Sequence, residues 1–475
     1  MQDILCGECK FENLDYKFDF RDNKIVLMPN NLEDYFKWYG KNLCDKKKYE
    51  MMNIEGITNN GKYICFIHIK VVEIGRGALI AWVPGYIICD SNGITPLPKC
   101  ENIEKLIFYG NCIDKLYNPE RIVKENNILE EKNLKLEIKN ESVKTKFKVN
   151  DDIFCFNVYW TRPYSSDMNV VLKVKSFLEI EFGTPKNVDE LVEYYLSVSK
   201  FFQFLNNRNI IEFNEIIATN THNINYGINI NDVRQETIKF KIFINLPDEE
   251  FDNGSQREHI ILEDIKSNFV ELYKITSDKK YLTTYFPKSN KDELYVDNSK
   301  YIDIASAFES EFNKLYPTFK SAKNEEYKMV KDGILKYLSD KREDVIDKIN
   351  DDNDKKQHFK NIKKEIDYFY KIIEKIDGTL CEKINFSLNE YQKNISLYRE
   401  KLLKHYEIEK ISNGKLANDF VNRRNDISHG NGTSDFTNEE VICYELLRIC
   451  IYCITLKRAG FNDEEIEKIV KRIFN

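Results

Sequence analysis

The sequence predicts an α+β protein: a strand-rich N-terminal domain, built as one or two subdomains, followed by an all-α helical bundle. Three observations predict it. Period-two apolar alternation recurs in the first half, as in "TIKFKIFINL", where Ile238, Phe240, Ile242 and Ile244 share one face. From Tyr301 onward, long segments at helical spacing follow one another without strand signals. The chain of 475 residues is also too long for one small domain, and its 42% apolar content supplies more than one core.

Taken in order, "YKFDFRDNKIVLM" reads as a hairpin: Tyr16, Phe18 and Phe20 alternate, Arg21-Asp22-Asn23 turns, and a β-branched run returns. "KYICFIHIKVVEI" and "ALIAWVPGYIIC" read as two longer strands parted by Gly75-Arg76-Gly77, with His68 as a satisfied structural histidine. "NVDELVEYYLSVSKFFQFL" is a helix, because Val188, Leu191, Tyr195, Val198, Phe202 and Leu205 repeat at helical spacing behind an Asn187/Glu190 capping box. The polar "LPDEEFDNGSQRE" breaks the order. Helical segments are then expected at 301–316, 324–349, 358–376, 388–407, 415–429, 437–458 and 462–473. The change of pattern puts the domain boundary near residue 295, giving domains of 1–295 and 296–475.

Composition narrows the function classes. The net charge of −7 rules out a global polycation, so a nucleic-acid partner would need a local basic site. The most apolar runs, 63–72 and 441–456, are too short for a bilayer and contain charged residues, so no membrane span is expected. The 12 cysteines are scattered and "MQDILCGECK" lacks the blocks of a secretion signal, which predicts free thiols in a reducing cytoplasm.

The chemistry concentrates in "FVNRRNDISHGNG". The helix from Lys415 to His429 should end at Gly430, a residue suited to the left-handed position after a helix. Thr437 and Glu440 then box the next helix. Leu416, Phe420 and Ile427 define an apolar face with Arg424 at its edge; Asn425 and His429, four apart, share the neighbouring polar face. Arg-x4-His occurs once in the chain. A helix-end cation needs no function to explain it, and Arg424 in a structural ion pair within a non-catalytic binding or dimerisation module is the competing reading. The three residue types together suit a phosphodiester. Arg forks onto phosphate oxygens, His exchanges a proton with a 2′-hydroxyl or a leaving 5′-oxygen, and Asn holds either by hydrogen bonds. RNA brings its own nucleophile, so this chemistry needs no metal and leaves a 2′,3′-cyclic phosphate. One His is short of an acid–base pair, and two chains with these helices face to face would supply two.

"RRNDISHG" in a C-terminal helical bundle resembles the R-x4–6-H signature of HEPN domains, and the pattern maps to Arg424, Asn425 and His429, with Arg423 fitting the looser spacing. "ASAFESEFNKLY" resembles an early HEPN helix whose glutamate points toward the arginine, which makes Glu309 a secondary candidate. "IEGITNNGKYICFIHIKVVE" and "LEIEFGTPKNVDELVEYYLSVSKFFQFL" resemble the domain that precedes HEPN in ApeA-type antiviral proteins of bacteria. The resemblance implies a metal-independent endoribonuclease, homodimeric through its HEPN domains, with tRNA among its candidate RNAs. It also implies a role in abortive infection, with a front domain that senses a phage-derived trigger or restrains the nuclease. Some HEPN toxins carry a tyrosine two residues after the histidine as a modification target; Asn431 stands there in this chain.

No cofactor is expected for catalysis. "CGEC" makes Cys6 and Cys9 half of a zinc knuckle, which Cys44 or Cys65 would have to complete. Cys450 and Cys453 fall in an apolar helix and read as core.

Overall fold

The computed structural model describes residues 4–11, 13–31, 33, 36, 52–75, 78–89, 99–121, 129–132, 135–138, 144–161, 173–225, 233–245, 259–293, 295–319, 325–351, 355–375, 378–431 and 435–474. The chain forms two compact units, Met1–Lys279 and Lys280–Asn475.

The first unit is built on β1 (Leu5–Phe11), β2 (Leu14–Arg21), β3 (Lys24–Pro29), β4 (Met52–Thr58), β5 (Tyr63–Gly75), β6 (Ala78–Trp82) and β7 (Gly85–Cys89). β8 (Ile103–Tyr109), α1 (Asn111–Leu116), the small hairpin β9 (Leu129–Lys132) and β10 (Lys135–Ile138), and β11 (Thr145–Val149) follow. Then come β12 (Asp152–Thr161), β13 (Lys173–Lys186), α2 (Val188–Asn206), β14 (Glu215–Asn225), β15 (Val233–Ile244), α3 (Leu262–Ile265) and α4 (Phe269–Ser277). One sheet runs β11-β12-β13-β8-β14-β15-β7-β5-β4-β1-β2-β3-β6, and a further β5–β6 pairing closes the last six strands into a barrel.

The expected hairpin is β2–β3, with Asp22 and Asn23 both at positive φ (49° and 60°), as a two-residue turn between twisted strands requires. Tyr16, Phe18 and Phe20 are buried inside the barrel, where Phe18 meets Phe66 edge to face at 5.2 Å. Closure depends on β5, whose register against β4 shifts between Met52 and Ile54. His68 sits there at φ 47°, its N–H donating to Asn53 Oδ1 at 2.9 Å, and a bulge of this kind bends the strand. Its ring Nε2 lies 3.1 Å from Asp189 Oδ1, so the imidazole is held. The expected strand "ALIAWVPGYIIC" is two strands, because Pro84 lacks the N–H that a continuous ladder needs. α2 begins at the expected capping box, with Asn187 and Glu190 bonded both ways at 3.0 Å. It packs on α4 through Phe201 against Phe269 and Tyr273.

The second unit is helical: α5 (Asn290–Glu293), α6 (Asn298–Leu315), α7 (Glu325–Asp351), α8 (Lys356–Lys375), α9 (Leu380–Glu390), α10 (Gln392–His405), α11 (Asn413–Ser428), α12 (Asn438–Arg458) and α13 (Asp463–Phe474). α12 is its axis. Ile442 to Leu456 are all buried, including Cys450 and Cys453, and α6, α9, α10, α11 and α13 pack around it. The fully buried Arg448 is neutralised by Glu445 at 2.9 Å and Glu293 at 3.0 Å. That pair explains why the units part at Lys279/Lys280 instead of near 295. Residues 281–293 lack helical periodicity, yet Tyr281, Tyr285, Phe286 and Glu293 serve the helical core, with Tyr281 Oη 3.4 Å from Thr455 Oγ1. The segment expected at 388–407 is the end of α9 and all of α10, broken at Tyr391.

Candidate functional site

α11 starts at Ser412, whose hydroxyl accepts from the Lys415 N–H at 3.2 Å. Its buried positions are Leu416, Ala417, Phe420 and Arg423. Leu416, Phe420 and Arg423 follow the i, i+4, i+7 spacing of one helix face, so the buried stripe runs through Arg423 and not along the edge held by Arg424. Ile427, expected in that face, is half-buried. Phe420 stacks on Tyr301 of α6 at 4.4 Å, and Tyr301 also meets Phe436 at 5.1 Å.

Arg423 is 7% exposed and committed to the fold. Its guanidinium lies over the Phe436 ring at 4.5 Å, donates to the Asp435 carbonyl at 3.0 Å, and approaches Glu440 Oε2 to 3.9 Å. Glu440 also closes the expected capping box of α12, accepting from the Thr437 N–H at 2.8 Å. One carboxylate therefore starts α12 and faces the buried arginine. Phe436, just before the cap, is the residue that sequence reasoning missed. Its signal was an apolar side chain at the position where a hydrophobic staple sits.

Arg424, one residue on, turns away from that core. It is half-buried, and its Nη1 donates to Asn425 Oδ1 at 3.3 Å. Its Nε is buried without a hydrogen-bond partner. Among the described residues no carboxylate lies within ion-pair distance of Arg424; the structural ion pair that the competing reading gave it belongs to Arg423.

His429 caps the helix C-terminus and is exposed. The chain leaves the helix through Gly430 at φ +76°, as expected. The N–H of Gly430 bonds to Ile427 O (3.1 Å) and that of Asn431 to Asp426 O (2.8 Å), the paired bonds of a left-handed helix end. The partial negative charge of the helix end is strongest around His429, while Arg424 stands before the last turn. Arg424, Asn425 and His429 thus lie on the last turn and a half of one helix, with Asn425 bonded to Arg424 and His429 about 140° further round the axis than Arg424.

Glu309 does not point at these arginines. Its carboxylate takes Lys383 of α9 at 3.0 Å, neutralising an ammonium that is 8% exposed. Its neighbour Glu311 is buried and bonds Lys314 and Arg458, so this face of α6 serves packing.

The zinc candidate fails on geometry. Cys6 and Cys9 lie in β1, and side chains three apart on a strand point to opposite faces, whereas a zinc knuckle needs a turn. Cys9 faces the barrel interior, and burial, with Asp15 nearby, pushes its thiol up to about 12, away from the thiolate that a metal would need. Cys65 is buried too and Cys44 lies outside the described residues; among those described, no His, Cys, Asp or Glu group could hold a metal ion. No helix of the described residues is long and apolar enough to cross a membrane.

The fold and site define a two-unit α+β protein: a barrel-containing sheet unit, and a helical unit with a cationic helix end. No known protein family, curated protein or solved structure matches the chain.

Proposed function

We propose that the chain is a HEPN-type endoribonuclease that acts in bacterial anti-phage defence by abortive infection, with the N-terminal unit regulating it. The observation that carries this reading is the division of labour at 423–429: Arg423 is used up inside the bundle. Arg424, Asn425 and His429 sit on the accessible end of the same helix, and the Arg424 guanidinium meets no carboxylate among the described residues. In this reading Arg424 forks onto the scissile phosphate and stabilises the charge that develops there. Asn425, already bonded to that guanidinium, orients it. His429 takes the 2′-hydroxyl proton or protonates the leaving 5′-oxygen. The product is a 2′,3′-cyclic phosphate, and no metal enters the steps. A second copy of α11 provides the second histidine, so the working form is a homodimer through the helical unit. Its substrate is RNA, with tRNA a candidate, and a phage-derived component releases the activity.

The test is to map RNA ends in cells expressing wild type, Arg424→Ala and His429→Ala under phage challenge. Wild type should give new 2′,3′-cyclic phosphate ends and arrest growth. Both variants should lose the cleavage by roughly 100-fold or more. His429 is exposed, so its variant should fold normally. Cleavage by His429→Ala at the wild-type level would end this assignment.

A further inference from the structure

α7 and α8 form an antiparallel hairpin held in part by Arg342 Nε on Asp367 Oδ1 at 2.6 Å, and among the described residues they pack mainly on each other. Such a hairpin buries one edge of each helix, and the less exposed apolar positions are Leu335, Leu338 and Val345 on α7 and Ile362, Ile366 and Tyr370 on α8. A second apolar stripe is left in solvent. On α7 it comprises Val330 (63% exposed), Ile334 and Tyr337; on α8 it comprises Phe369 (56% exposed) and Ile372. At about 100° per residue both stripes lie roughly a quarter-turn from the buried edges. Because the two right-handed helices run in opposite directions, both stripes emerge on the same side of the hairpin. Large apolar side chains this exposed and contiguous mark an association surface.

We propose that this face is covered by the same face of a second copy of the chain, the two hairpins forming a four-helix bundle whose neighbours all run antiparallel. The occupant follows from charge. α7 carries eight carboxylates and six bases, net −2, whereas α8 carries three and six, net +3. The flank of the stripe away from the partner helix repeats the contrast, with Glu326, Asp340 and Asp344 on α7 and Lys364 and Lys371 on α8. A two-fold axis parallel to the helices lays each α7 over the α8 of the other copy. Apolar stripe then meets apolar stripe, and acidic flank meets basic flank on both sides. The area fits as well: α8 is about 30 Å long, and two helices side by side are about 20 Å wide. The whole face, with Lys341 and Lys348 of α7 and Glu365 of α8 beyond the apolar stripes, offers roughly 600 Å² per copy, at the lower end of the range, centred on about 800 Å², that each partner typically buries in a stable interface. This contact is separate from α11, so it stands or falls independently of the nuclease reading.

Sedimentation of the full chain tests it. Ile334→Glu with Phe369→Glu should raise the dissociation constant by roughly 100-fold or more and halve the assembled mass, with helix content unchanged. If α11 also pairs, about a different axis, the change reduces the larger assembly to the α11-linked dimer; if both contacts share one axis, it is read as the rise in the dissociation constant. Two charge reversals guard against misfolding. Asp340→Lys with Asp344→Lys should weaken assembly, and adding Lys364→Glu with Lys371→Glu should restore it. An apolar variant with both mass and dissociation constant unchanged overturns the proposal, as does a wild type that sediments as a monomer at micromolar concentration. Loss of RNA retention in the lysine variants without any change of mass would assign the face to nucleic acid and equally overturn it.

Discussion

Adjacent residues on a helix point about 100° apart, and at Arg423 and Arg424 that angle separates a core contact from an accessible cation. Arg423 of α11 is held between Phe436 and Glu440; removing it takes the cation away from a carboxylate that is itself largely buried. Arg423→Ala should therefore lower unfolding free energy by about 2–4 kcal/mol, the cost of stripping one partner from a buried charged group. Arg424→Ala should change it by less than about 1 kcal/mol while abolishing the proposed cleavage. Urea denaturation of the two variants reads the difference directly, and equal losses would show that both arginines are structural. The unique Arg-x4-His spacing singled out this helix end in the sequence. Which arginine is buried could not be read there, because Ile427 and Phe420 bracket Arg424 in the sequence while the packing runs from Phe420 to Arg423.

The end of α11 shows how an element aims a site. Gly430 takes a left-handed conformation, and a Cβ placed there would meet nothing within 4 Å. Gly430→Ala should thus cost about 1 kcal/mol from backbone strain alone. It should also speed amide exchange at Gly430 and Asn431, whose N–H groups tie off the helix beside His429. Helix starts were as legible as this stop. The boxes at Asn187/Glu190 and Thr437/Glu440 are formed as expected. The equivalent box at Thr379/Glu382 starts α9, a helix the sequence reading met only at its end, from residue 388, even though its start signal is of the same kind. Strand ends were harder to place, since the apolar run through Val83-Pro84 looks continuous until the missing N–H is counted.

Across the whole molecule, acid should bear on the first unit through His259. Burial, with Lys115 and Arg208 nearby, lowers its pKa from 6.5 to about 4. The folded state thus keeps a neutral imidazole while the unfolded chain takes up a proton near 6.5. Between those values the unfolded state binds more protons, so stability should fall as pH drops from 6.5 toward 4. His259→Gln should flatten that slope in thermal melts of the full chain over this window, and an unchanged slope would assign the acid sensitivity to other groups. The sequence by itself determined the two-part α+β division, the β2–β3 hairpin, most of the helices and the stop of α11 at Gly430. Each of these depends on residues within a few turns of one another, where periodicity and capping act. The tertiary structure decided closure of the barrel through the β5 bulge, and recruitment of residues 280–295 to the helical unit through Arg448 and Glu293. It also decided the pairing of Glu309 with Lys383 and which of two neighbouring arginines is buried. All of these are contacts between side chains far apart in the chain, and a burial partner 155 residues away leaves no local periodicity to read.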